Sequence, residues 1–534
     1  MAELRIDDSN ISELSNLKDD KYKDVTEVTI KDVMQYPDIV IDTNTVQLLR
    51  ITNCRIKSII FSNCPSLQRL YCLSSIVNSN LDLTPCSNIE NVYTYHTSGI
   101  TKLNLYNCQQ LKSITCNFDN FEELNVVGCF NLKNIQSGLL SPLKHLDLTR
   151  CCSLEYLSTT CHSINLQDCG NLKIIHGYIG NNVDLSFLPY LKTYSYPHES
   201  KVVNIDLPKS IEQIAIGSGY LKTVNLKNCS KLFRIMLCNS PNLSHLDLSD
   251  CTSLTHLIFK NTNLKTLVLP ETYPDTLKYF EYNGGRPVSR ETKSSSFEFE
   301  YPIKKVCPQL TTLIYNNVAI PNPDLSLYPN LVSITIENCA ITTLDFSCCP
   351  KLEEIYLENN INLTSIDLSS CRCLKNLRLD ISNLTNLVLP ENYSETLEDF
   401  SYLVNNSIFK NTQVFESAIE YPIREVCPKL TNLICHCIKD TNFDLSLYPS
   451  LTNIRIIKSS MTKLDFSHCP DITEIYLNSN ENLTDVIITN YNKDSQFNSF
   501  HNKNLKNITL LSDFNLNRIY SDDENINQKL TIRD

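Results

Sequence analysis

The stretch LSHLDLSDCTSLTHL, residues 243–257, decides how the chain is read. Leu246 and Leu248 flank one polar residue, Cys251 follows three positions on, and Leu254 and Leu257 come next. The alternation Leu246-x-Leu248 puts two apolar side chains on one side of an extended segment and Asp247 on the other. The same apolar-x-apolar-x-x-Cys spacing ends at Cys54, Cys64, Cys86, Cys108, Cys129, Cys151, Cys169, Cys229, Cys339, Cys349, Cys371 and Cys469. Thirteen of the 24 cysteines are thus read as sharing one local setting. A reactive or ligating thiolate needs its own electropositive surroundings, whereas a packing residue can be copied with its repeat, so the thirteen read as a structural column.

Working outward, Leu103, Leu124 and Leu146 lie 21 and 22 residues apart, and Val224 to Leu246 and Leu344 to Ile366 are each 22 apart. A period of this length marks a solenoid of stacked coils. Each coil has a short strand at LDL or LNL. A second apolar cluster follows about ten residues later, as Leu254, Leu257 and Phe259 follow Leu246, and predicts a second extended segment on the opposite wall. Amphipathic windows long enough for a helix are missing from most coils.

Residues 262–381 align without a gap to 382–501, with 49 of 120 positions identical, so a block of several coils has been duplicated. LVLPETY (267–273) matches LVLPENY (387–393), and YPIKKVCP (301–308) matches YPIREVCP (421–428). Pro302 suits the first position of a helical turn that Pro308 stops. Segments 286–300 and 406–420, where the copies diverge, predict insertion loops. Residues 1–45 lack the cysteine spacing and 485–534 lose it again, ending in an acidic tail with Asp522, Asp523 and Glu524. Both are expected to cap the open ends of a solenoid spanning 46–484.

The pattern L-x-x-L-x-L-x-x-C-x-x-L resembles the leucine-rich repeat family, in its cysteine-containing form. LSHLDLSDCTSL (243–254), LKHLDLTRCCSL (143–154) and ITTLDFSCCPKL (341–352) carry the resemblance, which covers roughly residues 46–485 and departs from the family in its short second wall and an irregular coil at 170–224. It implies an α/β solenoid, mostly β: a horseshoe with a parallel concave sheet, short or extended convex segments and few helical turns. It also implies that the cysteines turn inward after the strand and hold loop backbone, a job suited to a small buried side chain with a weak donor.

The outward middle position of the short strand is nearly always Asp or Asn: Asp82, Asn104, Asn125, Asp147, Asn165, Asn225, Asp247, Asp345, Asp367 and Asp465, with His245 beside Asp247. Two readings compete for this column. It is either a ladder of short polar groups bonding to their own surroundings, or an acidic strip that docks a basic or Asn/Ser/Thr-rich segment. Stacked neighbours such as Asp345 and Asp367 are expected to repel, raising one pKa or attracting a cation.

Net charge is −12 and no Lys/Arg run exists, which removes the electrostatic basis for binding phosphate backbones or anionic membranes. The start MAELRIDDSN lacks the basic and apolar regions of a secretory signal, and no stretch reaches membrane-spanning length, so a soluble, cytoplasmic chain is expected. Cys435, His436, Cys437, His468 and Cys469 could crowd together, but their duplicate positions hold Tyr315, Asn316, Asn317, Cys348 and Cys349, and Cys-x-Cys is too tight for zinc. His145 with Asp147 lacks a nucleophile, and GSG at 217–219 lacks a phosphate loop's lysine and helix. No metal, cofactor or catalysis is implied. The expected function is a non-catalytic scaffold binding another protein through the concave face and insertion loops. The alternatives are a substrate receptor of a ubiquitin-ligase-type complex and a surface or adhesive repeat protein.

Overall fold

In the computed structural model the described residues are 2–118, 121–137, 142–284, 305–318, 322–380, 384–403, 423, 425–438, 443–489, 495–511, 515, 518–522 and 526–533. The insertion segments 286–300 and 406–420 lie outside them, as do 301–304 and most of 421–424, where the helical turn was expected, and two of the three acidic tail residues.

Each coil is built as the quoted stretch dictates. The short strand His245–Asp247 ends in a turn around Cys251, and the chain then enters a longer strand, His256–Thr262. In the coil of Lys102–Asn104 and Ser113–Phe118 the side chains of Leu103, Leu105, Cys108, Leu111, Ile114 and Cys116 are all buried, so the short and the long strand face one shared interior. Because each connection completes a whole coil, neighbouring strands run the same way; Leu103 pairs in parallel with both Leu81 and Leu124.

The architecture is a mostly parallel β-solenoid with few helical turns. Those described are short, such as Tyr273–Thr276 and its duplicate Tyr393–Thr396, and 3₁₀ turns at Leu325–Leu327 and Leu445–Leu447. Pro274 is the second residue of the first of these, at a position where no backbone N–H is needed.

The two walls differ in a way the sequence reading did not anticipate. The second apolar cluster forms the longer strand, and it is this strand that makes the extended sheet. The short LDL-type strands make small separate sheets, such as that of Leu81–Asp82, Lys102–Asn104, Glu123–Asn125, Leu146–Asp147 and Ile164–Asn165. Length explains it. Most strands of the short wall have two or three residues and offer one or two ladder bonds per neighbour, whereas many of the long wall have five to seven and offer a cooperative set, with shorter members such as Tyr156–Ser158 and Ile174–His176 carried between longer ones.

The chain divides into two compact units, the first of Met1–Leu254 with Asn261–Pro270, the second of Thr255–Lys260 with Glu271–Asp534. In the first, the long-strand sheet begins at Ala2–Ile6 and Val25–Lys31, ahead of the first cysteine, with Leu14, Leu17 and Tyr22 buried beside it. In the second it runs from Tyr279–Gly284 to Ile519–Ser521. Among the described residues no helix is long and apolar enough to cross a membrane.

Candidate functional site

Two turns and one sheet face hold the polar chemistry of each coil. After the short strand, the Asp or Asn side chain folds back onto its own backbone. Thr84 N donates to Asp82 Oδ1 at 3.1 Å, Tyr106 N to Asn104 at 3.2 Å, Val127 N to Asn125 at 3.4 Å, Thr149 N to Asp147 at 3.0 Å and Gln167 N to Asn165 at 3.2 Å. Asn225, Asp247, Asp345, Asp367 and Asp465 accept in the same way from Lys227, Ser249, Ser347, Ser369 and Ser467. All ten column residues therefore close an Asx turn.

Sideways bonds link some of them. Asn104 Nδ2 donates to Asp82 at 3.1 Å, Asn125 to Asn104 at 2.9 Å and Asn165 to Asp147 at 3.1 Å. Asn225 reaches instead to Asp206 at 2.8 Å, a rung the sequence reading passed over, and His245 Nδ1 meets Thr266 Oγ1 at 2.6 Å. Asp345 and Asp367 do face each other in register. The expected rise in pKa is not found. The Ser347 hydroxyl and N–H hold Asp345 below the usual carboxylate range, and the N–H and hydroxyl of Ser369 do the same for Asp367, outweighing the repulsion between the two.

The cysteines sit beneath this turn. Cys108 Sγ lies 3.7 Å from Leu83 O, Cys129 3.2 Å from Leu105 O, Cys151 3.3 Å from Val126 O and Cys169 3.9 Å from Leu148 O, so each thiol donates to a carbonyl of the preceding coil. Cys64, Cys349 and Cys469 do likewise toward Ile41, Leu325 and Leu445. Burial pushes Cys108, Cys151, Cys251, Cys371 and Cys469 up to about 12, and Cys86 is raised by its hydrogen bond with Cys64 first and by burial second.

Two of the thirteen belong elsewhere. Cys54 and Cys339 end long strands, Leu48–Thr52 and Ser333–Glu337, because apolar-x-apolar-x-x-Cys fits either strand end. Conversely, Cys307 and Cys427 occupy the short-strand turn, their carbonyls accepting from Leu310 N and Leu430 N as Cys108 O accepts from Leu111 N. No apolar-x-apolar pair precedes them. The downstream spacing Cys-x-x-Leu-x-x-Leu would have found both.

The long-strand turn uses a different device. A residue with φ near +50°, such as Asn261, Asn359 or Ser479, precedes a buried rung: Thr262, Asn360 or Asn480. Asn480 Oδ1 accepts from Ser459 N at 2.9 Å, its Nδ2 donates to Ile456 O at 3.0 Å, and its own N–H donates to Asn502 Oδ1 at 2.8 Å. Cys54 N and Cys339 N are held in the same column, by Ser75 Oγ and Asn360 Oδ1, each at 3.0 Å. Buried backbone groups are thereby satisfied rung to rung.

The outward face of the long strands is a polar and aromatic surface that these turns do not use. Arg50, Tyr71, Tyr93, Thr115 and Gln136 follow one another in register. The rings of Tyr71 and Tyr93 stack at 4.9 Å and 5°, with the Arg50 guanidinium 5.7 Å from the Tyr71 centroid. In the second unit Arg378 covers Tyr356 at 5.4 Å, and Arg455 covers Tyr476 at 5.0 Å. Tyr356 and Tyr476 are duplicates, yet one takes its arginine from the following strand and the other from the preceding strand. Among the described residues no group of three His, Cys, Asp or Glu side chains is placed to hold a metal ion.

No family model matches the chain. A probable disease resistance protein of Arabidopsis thaliana is 29% identical over 217 residues, which are 37% of this chain and 12% of that protein's length. Among solved structures, YopM from Yersinia enterocolitica is 14% identical with a TM-score of 0.46, over 98% of this chain and 94% of that one. CroV588, a circular leucine-rich repeat protein, is 12% identical with a TM-score of 0.37 over 99% and 98%. The functional domain of InlJ from Listeria monocytogenes, which includes a cysteine ladder, is 12% identical with a TM-score of 0.27 over 84% and 69%.

Proposed function

We propose that the chain is a non-catalytic scaffold that binds another protein, and that the contact surface is the outward face of the long strands. One observation carries this: the short-strand polar column is occupied by its own turns, while the long-strand face displays stacked tyrosines under arginine with no structural task of comparable weight. Tyrosine and arginine are the side chains that concentrate binding energy at protein interfaces, since they bury much area at little rotamer cost. The Asp/Asn column then serves as framework, and Asp82, Asp147 and Asp247 shape turns rather than partners.

The test is affinity capture from a native lysate by the intact chain, the variant Tyr71→Ala/Tyr93→Ala, and the variant Asp82→Asn/Asp147→Asn. Proteins identified by mass spectrometry with the intact chain are expected to be lost from the tyrosine variant and kept by the asparagine variant. The reverse pattern would return the contact surface to the short-strand column.

A further inference from the structure

The long-strand face of the first unit is uneven in charge. Over six strands, from Asn91–Thr97 to Thr193–Ser200, one outward row runs Tyr93, Thr115, Gln136, Ser158, His176, Ser195. The row beside it runs Asn91, Ser113, Asn134, Tyr156, Ile174, Thr193. Neither holds a carboxylate, ammonium or guanidinium. Burial lowers the pKa of His176, which leaves that ring neutral at pH 7.

Charge is not scarce nearby. Residues just before these strands form ion pairs along the rim, Lys112 with Glu90 at 2.9 Å, Lys173 with Glu155 at 2.7 Å and Lys192 with Glu212 at 3.0 Å. A neutral field bounded by self-paired charges matches the anatomy of a protein interface, whose core is depleted in charge and whose rim is polar. The field ends beside Arg50 and Arg69. Arg50 has Glu27 at 3.7 Å; Arg69 is exposed and has no ion pair among the described residues. The second unit's face is unlike this, with Glu337, Glu358 and Asp380 in register on adjacent strands.

Resting on the reading that this face binds a partner, we infer that the first unit takes an extended polypeptide segment with one carboxylate, seated at Arg50 and Arg69, and otherwise uncharged. The guanidinium fork fixes the carboxylate, the Tyr71–Tyr93 stack takes an apolar or aromatic side chain, and the Asn, Ser, Thr and Gln groups meet peptide amides. A Lys or Arg laid over the field would lose its hydration with no partner there, which selects against basic segments. From Arg69–Leu73 to Thr193–Ser200 is six strand spacings, about 29 Å, or roughly nine residues of extended chain. A carboxylate, amides and aliphatic groups in one chain are what a polypeptide offers and a neutral glycan does not.

A displayed library of random twelve-residue peptides is selected on the intact chain, and enriched peptides are measured against Arg69→Ala, Tyr93→Ala and Thr115→Glu, each checked for unchanged far-ultraviolet spectrum and melting temperature. Enriched peptides are expected to hold one Asp or Glu and no Lys or Arg, and to lose at least about tenfold in affinity to each variant. Because a single ion pair is involved, affinity is expected to fall less than about fivefold between 0.1 and 0.5 M NaCl. Thr115→Glu keeps both anchors and tests the neutral field alone, so a folding defect at Tyr93 would not obscure the result. Basic peptides that still depend on Tyr93 would overturn the inferred chemistry and leave the binding face standing. Peptides indifferent to all three variants would overturn both. No enrichment, with Tyr93-dependent binding to a neutral glycan array, would assign the face to carbohydrate and overturn the inference.

Discussion

The two walls of a coil solve one problem with different chemistry. A chain that turns back under a strand buries N–H and C=O groups that water can no longer reach. On the short wall these are met by an exposed or half-buried Asp or Asn above and a weak buried thiol below, as at Asp147 and Cys151. On the long wall they are met by strong buried donors and acceptors, as at Asn360, which donates to Ile336 O at 2.7 Å and accepts from Cys339 N at 3.0 Å. The difference teaches where polar groups are committed to the fold and where they are left for a partner. The short wall turns its carboxylates onto its own backbone, whereas the long wall hides its framework inside and leaves its outer face to vary.

The sharpest contrast is thiol reactivity. At about 12, the Cys251 thiol carries about a thousandth of the thiolate it would have at its ordinary value of 9.0, before access is considered. Native thiol titration at pH 8 is expected to label Cys152, Cys348 and Cys373, the exposed three, with the buried column reacting after denaturation. Rapid native labelling of Cys108, Cys129 and Cys151 would break the account of the short wall.

Next in size is the cost of removing a rung. Asn480→Ala strips partners from Ser459 N and Ile456 O, both buried, and is expected to destabilise the second unit by about 2–5 kcal/mol. Cys469→Ala in the same unit removes only long thiol contacts, 3.5 Å to Tyr448 O and 3.7 Å to Leu445 O, and a small volume, for about 1–2 kcal/mol. Urea unfolding of both variants, followed by hydrogen exchange to localise the loss, makes the measurement. Equal costs would mean that the walls are not held differently.

How far the sequence could be read follows the same division. The short wall announces itself because cysteine is an uncommon residue and LDLSDC, LDLTRC and LDFSCC keep one spacing. The long wall is quieter, since its rung changes chemistry from Ser240 to Thr262 to Asn360 while geometry stays fixed, and even Val318 and Ile438 take the place. Spacing alone therefore grouped Cys54 and Cys339 with the wrong turn. The uncharged face was unreadable for another reason. Tyr93, Thr115, Gln136 and Ser158 are spread over 66 residues of sequence and become neighbours only once the register is known.

The smallest expected effect concerns charge on the short wall, and it separates turn closure from electrostatics. Asp247 is held below its ordinary pKa by the backbone N–H and hydroxyl of Ser249. A carboxyl whose folded pKa is depressed adds stability that is fully present above the unfolded value, near 3.8, and is lost as pH falls through the folded value. Asp247→Asn keeps an acceptor for Ser249 N but cannot titrate. The two proteins should thus differ by less than about 0.5 kcal/mol at pH 7, because the group is mostly solvated. That difference should stay level down to pH 5 and shrink as pH falls below 3.8 and through the lowered folded value, as read by melting temperature across the range. A difference that widens on acidification would mean the carboxylate opposes the turn, and the ten Asp and Asn residues would no longer be equivalent parts of one framework.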